Sequence, residues 1–127
     1  MAFPTTISGV TWPGFSRNHG PYITSGGDVY FFAVDSTNAY TLNALKATDP
    51  TSSFSEAATE SFGGAGTSTI EAVAVAQEGD DFHVLWQYSD TADTDVKTGT
   101  VIYAKYTTST DTFENRSVLY TPTNFPN

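Results

Sequence analysis

The sequence predicts an all-β chain made of two consecutive four-stranded antiparallel sheets. Three observations predict it. Thr, Val, Tyr and Phe, which suit strands, are separated by clusters of Gly, Pro, Asn and Asp, which suit turns. No window holds a sustained 3.6-residue apolar period, and the nearest candidate, Phe54 to Glu60, is short and uncapped. The chain also repeats itself. Asp28-Val29-Tyr30-Phe31-Phe32-Ala33-Val34 returns 53 residues later as Asp81-Phe82-His83-Val84-Leu85-Trp86-Gln87. Leu42 to Thr48 returns 59 residues later as Val101 to Thr107, and Phe54 and Phe113 keep that second offset. Two offsets that differ by six residues describe one repeat with a six-residue insertion between its matched blocks. A period of roughly 50 residues, all strand and turn, points to propeller blades.

Each unit divides into four strands, a to d. In the first, a spans about Pro21 to Ser25, b Val29 to Asp35, c Tyr40 to Ala47 and d about Ser55 to Phe62. In the second, a spans Ile70 to Gln77, b Phe82 to Ser89, c Thr100 to Thr107 and d Phe113 to Tyr120. The a–b turns carry the hairpin signals Gly26-Gly27-Asp28 and Glu78-Gly79-Asp80-Asp81. Strand b is apolar on both faces: Tyr30, Phe32 and Val34 alternate with Phe31 and Ala33, and Phe82, Val84, Trp86 and Tyr88 with His83 and Leu85. Such a strand is expected to be covered on both sides, as in stacked blades. The small residues Ala72-Val73-Ala74-Val75-Ala76 suit an innermost strand where blades converge. An eight-stranded β-sandwich explains the strands but not the repeat. The expected divisions are an N-terminal arm or outer strand at 1–19, a first blade at 20–66 and a second at 67–127. Two blades do not close a ring. Either copies of the chain associate to close it, or the chain opens a longer propeller.

Composition narrows the partners. The formal charge is −9, with only 5 Lys and Arg. Nucleic acid and anionic membrane surfaces require cations to meet their phosphates, so neither is an expected partner. No stretch approaches the roughly 18 apolar residues of a membrane span. The absence of Cys removes disulfides and thiolate metal sites. Met1-Ala2-Phe3-Pro4-Thr5-Thr6 lacks the basic and apolar regions of a signal peptide.

The pattern over residues 20 to 121 resembles the blades of sialidase-like propellers, the superfamily with BNR or Asp-box repeats. That family's box, Ser/Thr-x-Asp-x-Gly-x-Thr-Trp, occupies the c–d turn. Ser109-Thr110-Asp111 falls in that place, but Phe113 stands where Gly belongs, no Trp follows, and the first unit has Ser52 where the Asp would be. The resemblance implies the fold more than the activity. Sialidase-like catalysis would need an arginine cluster, a Tyr nucleophile with a Glu, and an Asp acid/base. The chain's only arginines are Arg17 and Arg116, and Arg116 belongs to outer strand d.

Ligands of propellers usually meet the face shared by the d–a and b–c connections. That face is expected to hold Trp12, Arg17, His19, Asp35, Asn38, Tyr40 and the inserted loop Asp90 to Gly99. An aromatic ring with Arg and Asn suits a glycan, by stacking and planar hydrogen bonding. Asp90, Asp93 and Asp95 offer hard oxygen ligands for Ca²⁺, although their spacing is not that of an EF-hand and a solvated acidic loop explains them as well. No other cofactor is expected. His83, in mid-strand b, is expected to be packed and hydrogen-bonded. The favoured expectation is a non-catalytic module, structural or glycan-recognising, in an extracellular or virion assembly. The alternative is the N-terminal part of a propeller glycoside hydrolase or lyase.

Overall fold

A computed structural model describes residues 18–61, 68–90 and 99–121. Within them lie eight strands and no helix: β1 Asn18–Ile23, β2 Val29–Val34, β3 Thr41–Ala47, β4 Ser55–Ser61, β5 Ser68–Glu78, β6 Asp81–Asp90, β7 Thr100–Thr107 and β8 Thr112–Tyr120. They form two separate four-stranded sheets, in the orders β1-β2-β3-β4 and β5-β6-β7-β8, and every neighbouring pair is antiparallel. These are two blade-like sheets built consecutively along the chain.

The repeat is present in the register itself. Val29 pairs with Ala47 and Phe31 with Leu45 in the first sheet. The positions 53 and 59 residues on, Phe82 with Tyr106 and Val84 with Ala104, pair in the second. Even the ion pairs recur. Lys46 Nζ lies 2.9 Å from Asp28, and Lys105 Nζ lies 2.8 Å from Asp81. Each joins the first residue of its repeat block to the C-terminal part of strand c.

Because strand side chains alternate, each sheet has two faces, and equivalent positions can be compared. We call the face with Tyr30, Phe32, Val34, Leu42 and Ala44 the leading face of the first sheet. Its equivalents in the second sheet are His83, Leu85, Gln87, Val101 and Tyr103. The trailing faces carry Val29, Phe31, Ala33, Leu45 and Ala47, and correspondingly Phe82, Val84, Trp86, Ala104 and Tyr106. The main core joins the leading face of the first sheet to the trailing face of the second. The sheets therefore stack head to tail and not through like faces. This is the relation that successive blades have, and it is what distinguishes the arrangement from a sandwich related by a two-fold axis.

Aromatic rings fill the junction. Phe32 lies 5.2 Å from Phe82 and 5.4 Å from Tyr106, centroid to centroid, and Tyr30 lies 5.4 Å and 5.6 Å from the same two rings. Such tilted and edge-on pairs add about 0.5–1.5 kcal/mol each beyond the area they bury. The inner strands are tied as well. Tyr22 Oη donates to the Val75 carbonyl at 3.2 Å, and Gln77 Nε2 to the Ile23 carbonyl at 3.0 Å. At the adjoining turn the Ser25 amide and hydroxyl both donate to Asp80.

The coverage of strand b differs between the units. All six residues of β2 are buried, and Val29, Phe31, Ala33, Leu45, Ala47 and Phe54 form a second core on the trailing face. Among the described side chains of β6 only Phe82, Val84 and Trp86 are buried, while His83 and Leu85 are half-exposed and Gln87 is exposed. The expectation that strand b is covered on both faces thus holds for the first unit and fails for the second. Its leading face is mixed in polarity, so partial hydration costs it little. Strand β1 also starts earlier than expected, at Asn18. A register shift between His19 and Tyr22 accommodates Gly20-Pro21, where proline has no amide to give the ladder.

Candidate functional site

The first region of interest is the end of the sheets that carries the b–c connections. Strand β1 begins there, β2 ends there and β3 begins there, so His19, Asp35, Asn38 and Tyr40 share one rim of the first sheet. His19 is half-buried and pairs with Phe32 across the ladder, and Tyr40 is half-buried in the turn. Asn38 is exposed, and its carbonyl accepts from the Thr41 amide at 2.8 Å. Asp35 caps the turn. It accepts from the Thr37 and Asn38 amides at 2.7 Å each and from Asn43 Nδ2 at 3.3 Å. Partial burial pushes its carboxyl upward, but these three donors outweigh it and leave it below the usual range. The Ile70 amide donates to the Ala39 carbonyl at 2.8 Å, which brings the start of the second sheet against this turn.

Trp12 and Arg17 lie outside the described residues, as do Asp93, Asp95 and the side chain of Asp90. The insertion is therefore placed only by its flanks: β6 ends at Asp90 and β7 starts at Thr100, at the same end of the second sheet as Ser68. Among the described residues no three His, Asp or Glu side chains come together as a metal site.

Beside this rim, on the leading face of the second sheet, is a cleft of about 260 Å³ lined by Glu71, Gln87, Ser89 and Gly99. Ser89 Oγ donates to Glu71 at 2.9 Å within it. A shallower hollow of about 190 Å³ continues across the same face over Ala72, Ala74, Leu85 and Val101.

The second region lies at the opposite end, and reading the sequence did not single it out. Asp111, in the c–d turn of the second unit, reaches across to the first. Its carboxylate accepts from Tyr30 Oη at 2.7 Å, from Tyr106 Oη at 3.0 Å and from Lys46 Nζ at 3.2 Å. Lys46 also lies over the Tyr30 ring, 5.3 Å from its centroid. Asp111 adopts a left-handed backbone, φ 50°, which aspartate tolerates better than most residues.

The electrostatics of this cluster are one-directional. Desolvation and the bond to Asp111 push the Tyr30 phenol up to about 12. Burial, with the Asp111 charge beside it, pushes Tyr106 up further still. Partial burial would raise the Asp111 carboxyl, but Tyr30, Lys46 and Tyr106 outweigh it and hold it below the usual range. Asp28 and Tyr30 raise Lys46. Each group is driven deeper into the form it already has at neutral pH. The arrangement is a clamp between sheets: one anion, one cation and two neutral phenols.

The Ser-Thr-Asp of the turn was legible as a remnant of a motif. Its partners were not, because Tyr30 and Lys46 lie 81 and 65 residues away. The recurrence of Asp28–Lys46 as Asp81–Lys105 was the available signal. Comparison of the chain with protein-family models, with curated proteins and with solved structures finds no match in any of the three.

Proposed function

We propose that the chain is a non-catalytic module built of propeller-type blades, serving as a structural or glycan-recognition part of an extracellular or virion assembly. The observation that carries the structural half of this reading is the Asp111 cluster, whose hydrogen bonds tie the two sheets together. A catalytic acid, base or nucleophile works best with a pKa near the operating pH. Tyr30, Tyr106, Asp111 and Lys46 are all shifted the other way, which suits permanent glue and not proton transfer. The rim with His19, Asn38 and Tyr40 supports the recognition half of the proposal. It presents an aromatic ring, an amide and an imidazole together at one end of the first sheet, a set suited to sugar hydroxyls.

The test is a paired assay on the full chain. Fluorogenic sialosides and other aryl glycosides, incubated from pH 4 to pH 9, should show no turnover above background. Turnover that disappears in Asp111→Asn would overturn the non-catalytic reading. In parallel, a glycan array probed with the parent and with Tyr40→Ala should show binding that the variant loses. Equal signals from both proteins place recognition away from this rim.

A further inference from the structure

The leading face of the second sheet carries a hydrogen-bonded relay that belongs to neither the clamp nor the rim. His83 Nε2 lies 2.8 Å from Glu78 Oε2, and His83 Nδ1 lies 2.8 Å from Tyr103 Oη. A carboxylate only accepts, so in the neutral ring the hydrogen sits on Nε2 and Nδ1 accepts the Tyr103 O–H. The two rings are stacked, 23° from parallel. The repeat does not dictate this set, because the equivalent positions in the first unit are Ser25, Tyr30 and Ala44. His83 and Tyr103 are half-exposed and Glu78 is exposed, so the relay is open to a reagent from solvent.

The geometry points to Tyr103 as an activated nucleophile that accepts an acyl group from a neutral, apolar ester or thioester. This goes beyond the structural and glycan-recognition reading and does not depend on it. A hydroxyl held against a base, with the base oriented by a third group, is the arrangement that activates weak nucleophiles. The Tyr103 oxygen bonds to the donor's carbonyl carbon while its proton passes to His83 Nδ1. Glu78 holds the imidazolium that forms. The bond from the carbonyl carbon to the leaving oxygen or sulfur breaks, and the imidazolium returns the proton to that leaving group. The products are a phenyl ester on Tyr103 and a free alcohol or thiol, with nothing oxidised or reduced.

The surroundings select the donor. Lys105 is the ladder partner of His83, is held by Asp81 at 2.8 Å and lies in the field of Glu78 and Glu114. One cation among three carboxylates leaves the site anionic, which disfavours acyl phosphates and other anionic donors. On the other side, Leu85 is the ladder partner of Tyr103, and Val101 stands two residues away on the same face. Both line the apolar hollow of about 190 Å³. A short apolar chain lying in that hollow sets its carbonyl beside the Tyr103 oxygen.

The test uses the full chain with p-nitrophenyl hexanoate at pH 7, acid-quenched and read by peptide mass. Exposed Tyr120 serves as the internal reference. Phenols ordinarily ionise near pH 10 and react slowly here. General-base assistance is worth about 10²–10⁴-fold, so Tyr103 should be acylated at least about tenfold faster than Tyr120. The release of p-nitrophenolate should stop at one equivalent per chain, and neutral hydroxylamine should reverse the adduct, as it does a phenyl ester and not an amide. His83→Gln should bring Tyr103 down to the Tyr120 rate. Glu78→Gln, at an exposed position, should slow it several-fold and serves as the second variant should His83→Gln disturb the fold. Leu85→Asn should slow the hexanoate and leave p-nitrophenyl acetate nearly unchanged.

Tyr103 labelled no faster than Tyr120 overturns the proposal, as does labelling that neither the His83 nor the Glu78 variant slows. A burst that survives in Tyr103→Phe overturns it in favour of the imidazole as nucleophile. Steady release with no adduct on Tyr103 overturns it in favour of hydrolysis. None of these outcomes bears on the glycoside and glycan assays, so the two readings fail separately.

Discussion

Replacing Asp111 by alanine tests the clamp most directly. The change strands two phenol O–H donors, those of Tyr30 and Tyr106, in residues with no exposed surface. An unsatisfied buried donor costs about 1–3 kcal/mol. Alanine also tolerates a φ of 50° less well than aspartate, which adds roughly 1 kcal/mol. The lost pairing with Lys46 contributes at most about 1 kcal/mol, because both side chains are partly exposed. The terms span about 3–8 kcal/mol, and the low end applies where water reaches the partly exposed Asp111 site, so a loss near 4 kcal/mol is expected; in a domain of this size that lowers the melting temperature by roughly 15 °C. Asp111→Asn keeps the tolerated backbone and one acceptor oxygen, so it should cost about 1–2 kcal/mol. Urea titration followed by tryptophan fluorescence reads both values, since Trp86 lies in the same core. Tyr30→Phe combined with Asp111→Ala should be less damaging than the sum of the two changes, because each removes the same bond. An alanine variant within about 0.5 kcal/mol of the parent, the range of ordinary surface changes, would refute the reasoning.

Two further predictions concern backbone and pH. At Gly20, φ is 135°, and an added Cβ would lie 2.8 Å from Phe31 Cδ2 and 2.9 Å from the Tyr30 carbonyl oxygen. Gly20→Ala should cost about 2–4 kcal/mol, and Gly27→Ala, with φ 92° but nothing within 4 Å, distinctly less; equal losses in thermal melts would show that the close approach does not matter. The carboxyls of Asp35, Asp49, Asp80, Asp81 and Asp111 are all depressed by their hydrogen-bond donors. Their stabilisation is full above the ordinary carboxyl value of about 3.9 and is lost as pH falls through the lower folded values. Tyr30, Tyr106 and Lys46 are raised, so their stabilisation is full below their unfolded values of about 10 and is lost above them. The melting temperature should therefore hold a plateau near neutrality and fall on both sides, and a maximum below pH 4 would contradict the assignment.

The strands were legible because the repeat constrained them. A block boundary such as Val29 or Phe82 is fixed twice, once by alternation and once by its equivalent in the other unit, and both begin or nearly begin a strand. Strand a of the first unit had no such support. Its start at Asn18 depends on a register shift around Gly20-Pro21 that alternation does not encode. The coverage of β6 was misread for a related reason. Apolar residues on both faces state what a strand tolerates, and the sequence carries no signal for how many neighbours are supplied. The rim of His19, Asp35, Asn38 and Tyr40 was legible from topology alone. Asp35's commitment to its own turn was not, because it depends on backbone amides that the spacing leaves unspecified.

The register shifts in the outer strands have a consequence of their own. Both β4 and β8 border their sheets, and a border strand with a free ladder invites another chain to pair beside it. In β4 the shift between Ala44 and Leu45 passes over Ala57, and Glu56 and Glu60 stand on either side. In β8 one shift passes over Asn115, at φ 54°, and Arg116, which is anchored to Glu60 of the neighbouring sheet. A second passes over Leu119, within the exposed stretch Val118 to Tyr120. Each interruption twists the strand and breaks the even row of amides and carbonyls that lateral pairing needs. The outer rim is thereby guarded against fibril-like growth, even where apolar side chains lie open on it.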